Sequence, residues 1–118
     1  RSGEKYEFEW AKKHNTINKF DLNGLDDLIC ELKEANLPVY FTVDLDVLDP
    51  SVFPGTGTPE PGGISYKKLQ DAVIKVCGGL NIIAADVVEL CPHYDQSGAS
   101  TAIACKILRE LLLALSGR

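Results

Sequence analysis

The 118-residue sequence has no methionine, no Cys-x-x-Cys pair, no run of basic residues and no long apolar stretch. Each absence narrows what the chain can be. Cys30, Cys77, Cys91 and Cys105 are too scattered for a zinc or redox motif, and no apolar segment preceded by basic residues reads as a secretory signal, so a reducing cytoplasm is the expected location. These cysteines read as small buried hydrophobes, with Cys91 the exception because it falls at the end of an expected strand. The longest apolar run, Leu111 to Leu115, is far shorter than the roughly 20 residues needed to cross a bilayer. Twelve Lys and Arg against 17 Asp and Glu leave a formal charge of −5. That balance excludes a nucleic-acid groove and an anionic membrane surface as partners and favours a cationic ligand. The two histidines, His14 and His93, lack ligand-pair spacing and are assigned to the surface or a supporting role. The opening Arg1-Ser2-Gly3, in a chain without methionine, leads to the expectation that residues 1–118 are one part of a longer polypeptide.

What is present is the composition of a globular domain, 45% hydrophobic and 25% charged. Residues 4–14 have helical character, and Ile17 to Phe20 reads as a short extended piece. Asn23 stands where an N-cap belongs, ahead of Leu25, Leu28, Ile29, Leu32 and Ala35 at helical spacing, and the helix is expected to end near Asn36, ahead of Pro38. Pro38 to Asp44 is a continuous β-branched and aromatic run, the pattern of a central parallel strand covered on both faces. Ser65 caps a second helix with Leu69, Ala72, Val73, Val76 and Cys77 on one side, stopped by Gly78-Gly79. Leu80 to Leu90 reads as a second buried strand, and Ser97 or Ser100 as the cap of a last helix running to about Leu115. Helix, strand, helix, strand, helix is the order of a parallel α/β fold. The last helix is apolar nearly all round, so one side is expected to meet the sheet and another a second subunit or the rest of the polypeptide.

Ligands of open parallel sheets bind beyond the carboxyl ends of the strands, where this chain gathers its acids. The first strand delivers Asp44 and Asp46 and the second delivers Glu89. If extended geometry continues through Leu45, the two aspartates project on the same side and can share a hard or borderline divalent cation such as Mg²⁺ or Mn²⁺. An isolated Asp-x-Asp is more often a turn cap, here at Asp49-Pro50. The loop Pro54 to Gly63 spends seven of its ten positions on Pro and Gly, which fits an ordered loop over a site better than a flexible linker. Glu89 can hold a planar cation such as guanidinium through paired hydrogen bonds, and is equally placed to pair with a nearby Lys or Arg. Asp86, three residues earlier, is expected to point to the opposite face as a buried structural acid.

The run Thr42-Val43-Asp44-Leu45-Asp46 with Asp49-Pro50, Pro54-Gly55 and Gly63 resembles a signature of the ureohydrolases, the arginase and agmatinase family. ADVVELCPHYDQSGASTAIACKILREL is similar to the family's C-terminal segment, and GTGTPEPGG, with Glu60 and Pro61, is closer to agmatinases than to arginases. The resemblance covers essentially the whole chain. It implies a three-layer α/β/α fold with a parallel sheet, arginase-like, of which residues 1–118 are the C-terminal part. It also implies a homo-oligomeric, binuclear Mn²⁺ hydrolase acting on a small cationic guanidino substrate, agmatine being cleaved to putrescine and urea. Carried over by position, Asp44 bridges the two ions, Asp46 binds one of them, and Glu89 holds the guanidinium.

The family's remaining ligands, a glycine-flanked histidine and an Asp-x-His-x-Asp motif, do not occur here, and Cys91 stands where the family usually has asparagine. Residues 1–118 alone are therefore expected to be inactive. Arginase or guanidinobutyrase activity is the nearest alternative. More distant ones are a haloacid-dehalogenase-like phosphatase, with the first Asp as nucleophile, and a non-catalytic module that serves assembly.

Overall fold

The run VYFTVD forms strand β1, Val39–Asp44, because its β-branched and aromatic side chains pack well on a pleated surface. The computed structural model describes residues 2–14 and 21–117. Helices α1 (Lys5–His14) and α2 (Leu25–Ala35) precede β1, and α3 (Tyr66–Gly79), β2 (Ile82–Val88) and α4 (Ala99–Leu115) follow it. The extended piece expected at Ile17 to Phe20 lies outside the described residues.

β1 and β2 pair in parallel, with Thr42 opposite Asp86 and Asp44 opposite Val88. Asp44 and Glu89 therefore leave neighbouring strands at the same end of the sheet. Phe41, Val43, Ala85 and Val87 face a core completed by Leu69 and Val73 of α3 and by Ala104, Ile107 and Leu111 of α4. Coverage of both faces is not found among the described residues. Tyr40 is 60% exposed and Ile83 67%, and no β2 residue is fully buried. The apolar run without alternation thus folds with alternating exposure, because α3 and α4 pack on one side of the strand pair.

Three helix caps behave differently. Ser65 caps α3 as expected, its hydroxyl accepting from the Lys68 amide at 3.3 Å. Asn23 does not cap α2. Gly24, at φ 84°, takes that position, and the Asn23 side chain is engaged by the Asp21 carboxylate instead. Asn36, in the left-handed conformation at φ 49°, ends α2 where Pro38 forbids continuation. Neither Ser97 nor Ser100 is the N-cap of α4. Gly98 at φ 75° is, and the carboxylate of Asp95 takes the Ser100 amide at 2.7 Å. A glycine tolerates positive φ without a Cβ penalty, so a carboxylate a few residues upstream can do what a capping hydroxyl would.

α4 packs mainly on α3 and only slightly on β2. Leu111 is buried, but Leu112 is 57% exposed, so the second apolar side of α4 stays uncovered among the described residues. The cysteines correct a further expectation: Cys77 is buried, Cys91 is half-buried, and Cys30 and Cys105 are exposed. No helix among the described residues is long and apolar enough to cross a membrane.

The segment between β1 and α3 is built into the core rather than draped over it. Leu48 and Phe53 are fully buried, and the Asp49 carbonyl accepts from the amides of Val52 and Phe53 at 2.8 and 2.9 Å. A parallel bridge between Leu48 and Ile64 closes the far end. Gly63 permits this closure, since a Cβ there would lie 2.4 Å from the Leu48 carbonyl carbon. Phe53→Ala is accordingly expected to lower stability by about 3–5 kcal/mol, the usual cost of emptying a buried aromatic site. An unchanged urea midpoint would contradict that anchoring role.

Candidate functional site at the strand ends

Asp44, Asp46 and Glu89 are brought together, but not by strand alternation. The chain leaves β1 through a 3₁₀ turn, Leu45–Val47, in which Asp44 caps the turn and its Oδ1 accepts from the Asp46 amide at 3.0 Å. Leu45 drops into the core as the turn forms. The expected extension through Leu45 is thus replaced by a turn, which keeps both carboxylates at the same rim. Thr58 Oγ1, from the Pro/Gly loop, donates to Asp46 Oδ2 at 3.3 Å.

Glu89 follows β2 with φ 69°, a left-handed conformation rare for a residue with a side chain. This turns it out of the strand pattern. Its Oε2 lies 3.8 Å from where a Cβ on Gly57 would sit, an ordinary van der Waals distance. Partial removal from water pushes the Asp44 carboxyl above its ordinary range, and the charges of Asp46 and Glu89 add to this against the favourable Asp46 amide. A cation beside Asp44 would relieve the cost of keeping it charged there.

The Pro/Gly loop is ordered by Asp49, a role that the sequence reading did not assign. Its Oδ1 accepts from the amide and hydroxyl of Ser51 at 3.0 and 2.5 Å, and its Oδ2 from the amides of Gly62 and Gly63 at 3.0 and 3.3 Å. The Ser51 hydroxyl and amide, followed by the glycine amides, bring the Asp49 carboxyl down to about 2. Asp95 repeats the motif at the start of α4, with Oδ1 accepting from the amide and hydroxyl of Ser97 at 3.0 and 2.6 Å. The shared Asp-x-Ser spacing, Asp49-Pro50-Ser51 and Asp95-Gln96-Ser97, is the signal that could have found both.

Asp86 is half-buried rather than buried and lies on the open face of the strand pair. Thr42 Oγ1 donates to it at 2.6 Å and the Tyr40 hydroxyl donates to its other oxygen, which together hold its carboxyl below the ordinary range. His14 and His93 are both exposed. His14 stacks on Trp10 with its Nδ1 2.8 Å from the Trp10 carbonyl, and neither histidine faces the three acids as a ligand.

A cavity of about 370 Å³ beside Asp46 is lined by Ser2, Thr58 and Glu60. A larger groove of about 480 Å³, between α3 and α4, is lined by Tyr66, Ile103, Lys106 and Arg109 and contains none of the three acids. The carboxylate oxygens of Asp44 and Asp46 are donors suited to a hard divalent ion. Among the described residues no group of three or more His, Cys, Asp or Glu could hold a metal ion.

A family model described as the arginase family matches residues 1–114. An agmatinase of Bacillus cereus is 47% identical over 116 residues, covering 96% of this chain and 39% of its own length. The crystal structure of a putative agmatinase from Clostridium difficile matches 98% of this chain and 42% of that one, at 47% identity with a TM-score of 0.89. A guanidinobutyrase of Pseudomonas aeruginosa is 34% identical over 117 residues, 94% of this chain and 36% of its own length. The chain thus spans well under half the length of the curated relatives it matches.

Two measurements follow. Asp49 titrates near 2 when folded against about 4 when unfolded, so its contribution to stability is complete above pH 4 and disappears as the pH falls toward 2. The stability difference between the wild type and Asp49→Asn is expected to shrink over that window; a difference independent of pH would refute the staple. Calorimetric titration of the 118-residue chain with Mn²⁺ is expected to give no pair of tight sites, and two such sites would show the donor set to be complete.

Proposed function

Since the chain belongs to the arginase family, we propose that it supplies the Asp44, Asp46 and Glu89 rim of a manganese-dependent hydrolase that cleaves agmatine to putrescine and urea. The observation that carries this reading is the convergence of the three carboxylates at one end of the parallel pair, with Asp44 pushed toward its neutral form by burial and by its two neighbours. Asp44 and Asp46 would hold the ions, and the residues completing the shell would come from outside residues 1–118. When bound, such ions supply Lewis-acid stabilisation and lower the pKa of water at neutral pH.

The chain's own residues do the rest of the work. Glu89, turned out of β2 by its left-handed backbone, accepts paired hydrogen bonds from the guanidinium and fixes its plane. Thr58 orients the Asp46 carboxylate by its hydrogen bond. The Pro/Gly loop is stapled by Asp49, which fixes the backbone that carries Thr58. The acidic cavity beside Asp46 gives a cationic substrate room and a favourable field. Residues 1–118 correspond, in this reading, to the C-terminal part of the ureohydrolase domain, and the exposed leucines of α4 to a contact with another subunit or with the rest of the domain.

Family membership removes the basis of the phosphatase reading. A guanidinobutyrate substrate is kept as a second reading because the Pseudomonas aeruginosa guanidinobutyrase is 34% identical to this chain. The deciding experiment is urea release from agmatine, arginine and 4-guanidinobutyrate by the full-length protein with Mn²⁺. Agmatine is expected to give the highest kcat/KM, and no urea from any of the three would sink the proposal. Glu89→Gln is expected to lower kcat/KM roughly 10- to 100-fold, as loss of a charge-assisted hydrogen-bond pair would.

A further inference from the structure

Three polar side chains are buried among the described residues, Thr56, Asp95 and Ser100, and they collect in one place behind the rim. Ser100 is fully buried on the first turn of α4. Its Oγ accepts from the Gly55 amide at 2.9 Å, and its own amide donates to Asp95 Oδ2 at 2.7 Å. The other side of the same Gly55 residue is also occupied, because its carbonyl accepts from the Cys91 amide at 2.7 Å. A continuous series of buried or half-buried bonds therefore runs from Asp95 through Ser100 and Gly55 to Cys91. It ends two residues beyond Glu89.

There is no slack in this series. A Cβ on Gly55 would lie 2.7 Å from Ser100 Cβ and 3.1 Å from Asp95 Cβ, so the loop backbone lies directly on the helix start. Two residues on from Gly55, a Cβ on Gly57 would reach ordinary contact with Glu89 Oε2, at 3.8 Å. Gly55 thus connects the Pro/Gly loop and the start of α4 with the turn that Glu89 leads into. Burying polar groups for stability alone is a poor strategy, since apolar side chains of similar volume would serve as well or better. Thr56 Oγ1 has no partner, but every step of the series from Asp95 to Cys91 is paired, and a paired polar series imposes one geometry.

We propose that Asp95 and Ser100 are positioning residues for Glu89, fixing through the Gly55 peptide the turn that presents its carboxylate to the guanidinium. The inference rests on the assignment of Glu89 to the substrate. A carboxylate that binds guanidinium alike in the ground and transition states affects KM more than kcat when it is misplaced. Metal binding, through Asp44 and Asp46 at the end of the other strand, is left intact.

The test uses the full-length protein with Mn²⁺, agmatine as probe and two alanine variants. Ser100→Ala deletes the acceptor for the Gly55 amide together with the hydroxyl's own hydrogen bond to Asp95. Ser97→Ala deletes an Asp95 contact and the 3.1 Å bond from the Ala99 amide but leaves the Gly55 bond in place. For Ser100→Ala the KM is expected to rise at least about tenfold with kcat changed less than about threefold. Its manganese content should match the wild type, and hydrogen exchange should accelerate in both residues 53–57 and 89–95. For Ser97→Ala a lower melting temperature with KM within about twofold of wild type is expected. Equal effects of the two variants on KM, or an unchanged KM in Ser100→Ala, would overturn the proposal. Should Ser100→Ala fail to fold, Ser100→Cys, of similar volume but a weaker acceptor, decides on the same measurements. Absence of urea release by the wild type would count against the functional reading alone. In that event unchanged exchange over 89–95 in Ser100→Ala still overturns the brace, and accelerated exchange there supports it.

Discussion

Like-charge repulsion between Asp44, Asp46 and Glu89 is the constraint around which this chain is arranged. Carboxylates left to themselves separate or take up protons, and the Asp44 carboxyl is raised first by its partial burial and then by the charges of Asp46 and Glu89. Keeping them together requires a backbone that does not yield. The parallel pairing of β1 and β2 supplies the first part of it, placing Asp44 level with Val88 and so one residue from Glu89. The core beneath, from Val43 and Leu45 to Ile107 and Leu111, holds the strand pair in place.

The second part comes from two acids that do not belong to the rim. Asp49 and Asp95 each close an Asp-x-Ser turn, and each then reaches further, Asp49 to the amides of Gly62 and Gly63 and Asp95 to the amide of Ser100. Both carboxyls are held below their ordinary range by hydroxyl and amide donors. The chain therefore uses aspartate in two opposite ways. At the rim Asp44 is partly buried and made costly to ionise; behind the rim Asp49 and Asp95 are satisfied by donors and made easy to ionise. The first use leaves charge available to a ligand, and the second spends it on holding loops.

Glycine and the left-handed backbone are where these demands meet. Gly55 and Gly63 are points of contact too close for a Cβ, and Gly57 faces the Glu89 carboxylate. Glu89 itself adopts φ 69°, which strands do not permit. Local strain of this kind persists when surrounding contacts over-determine it. Here those contacts are the Cys91 to Gly55 bond and the strand pairing that ends at Val88.

Composition and pattern alone determined the element order, the parallel α/β class, the Ser65 cap, the end of α2 at Asn36 and the family resemblance, because periodicity and motif spacing are local properties of the chain. They also singled out Asp44, Asp46 and Glu89, since acids at strand ends stand out against the apolar runs before them. The tertiary structure decided how those acids meet: a 3₁₀ turn in place of continued strand, a left-handed Glu89, and Gly98 with Asp95 in place of a serine cap. It also decided that β1 is covered on one face among the described residues, that Cys30 and Cys105 are exposed, and that Asp86 is shared by Tyr40 and Thr42 across the sheet. These outcomes depend on which distant backbone amides and side chains arrive beside a residue, and only the packing of strands, loop and helices against one another determines that.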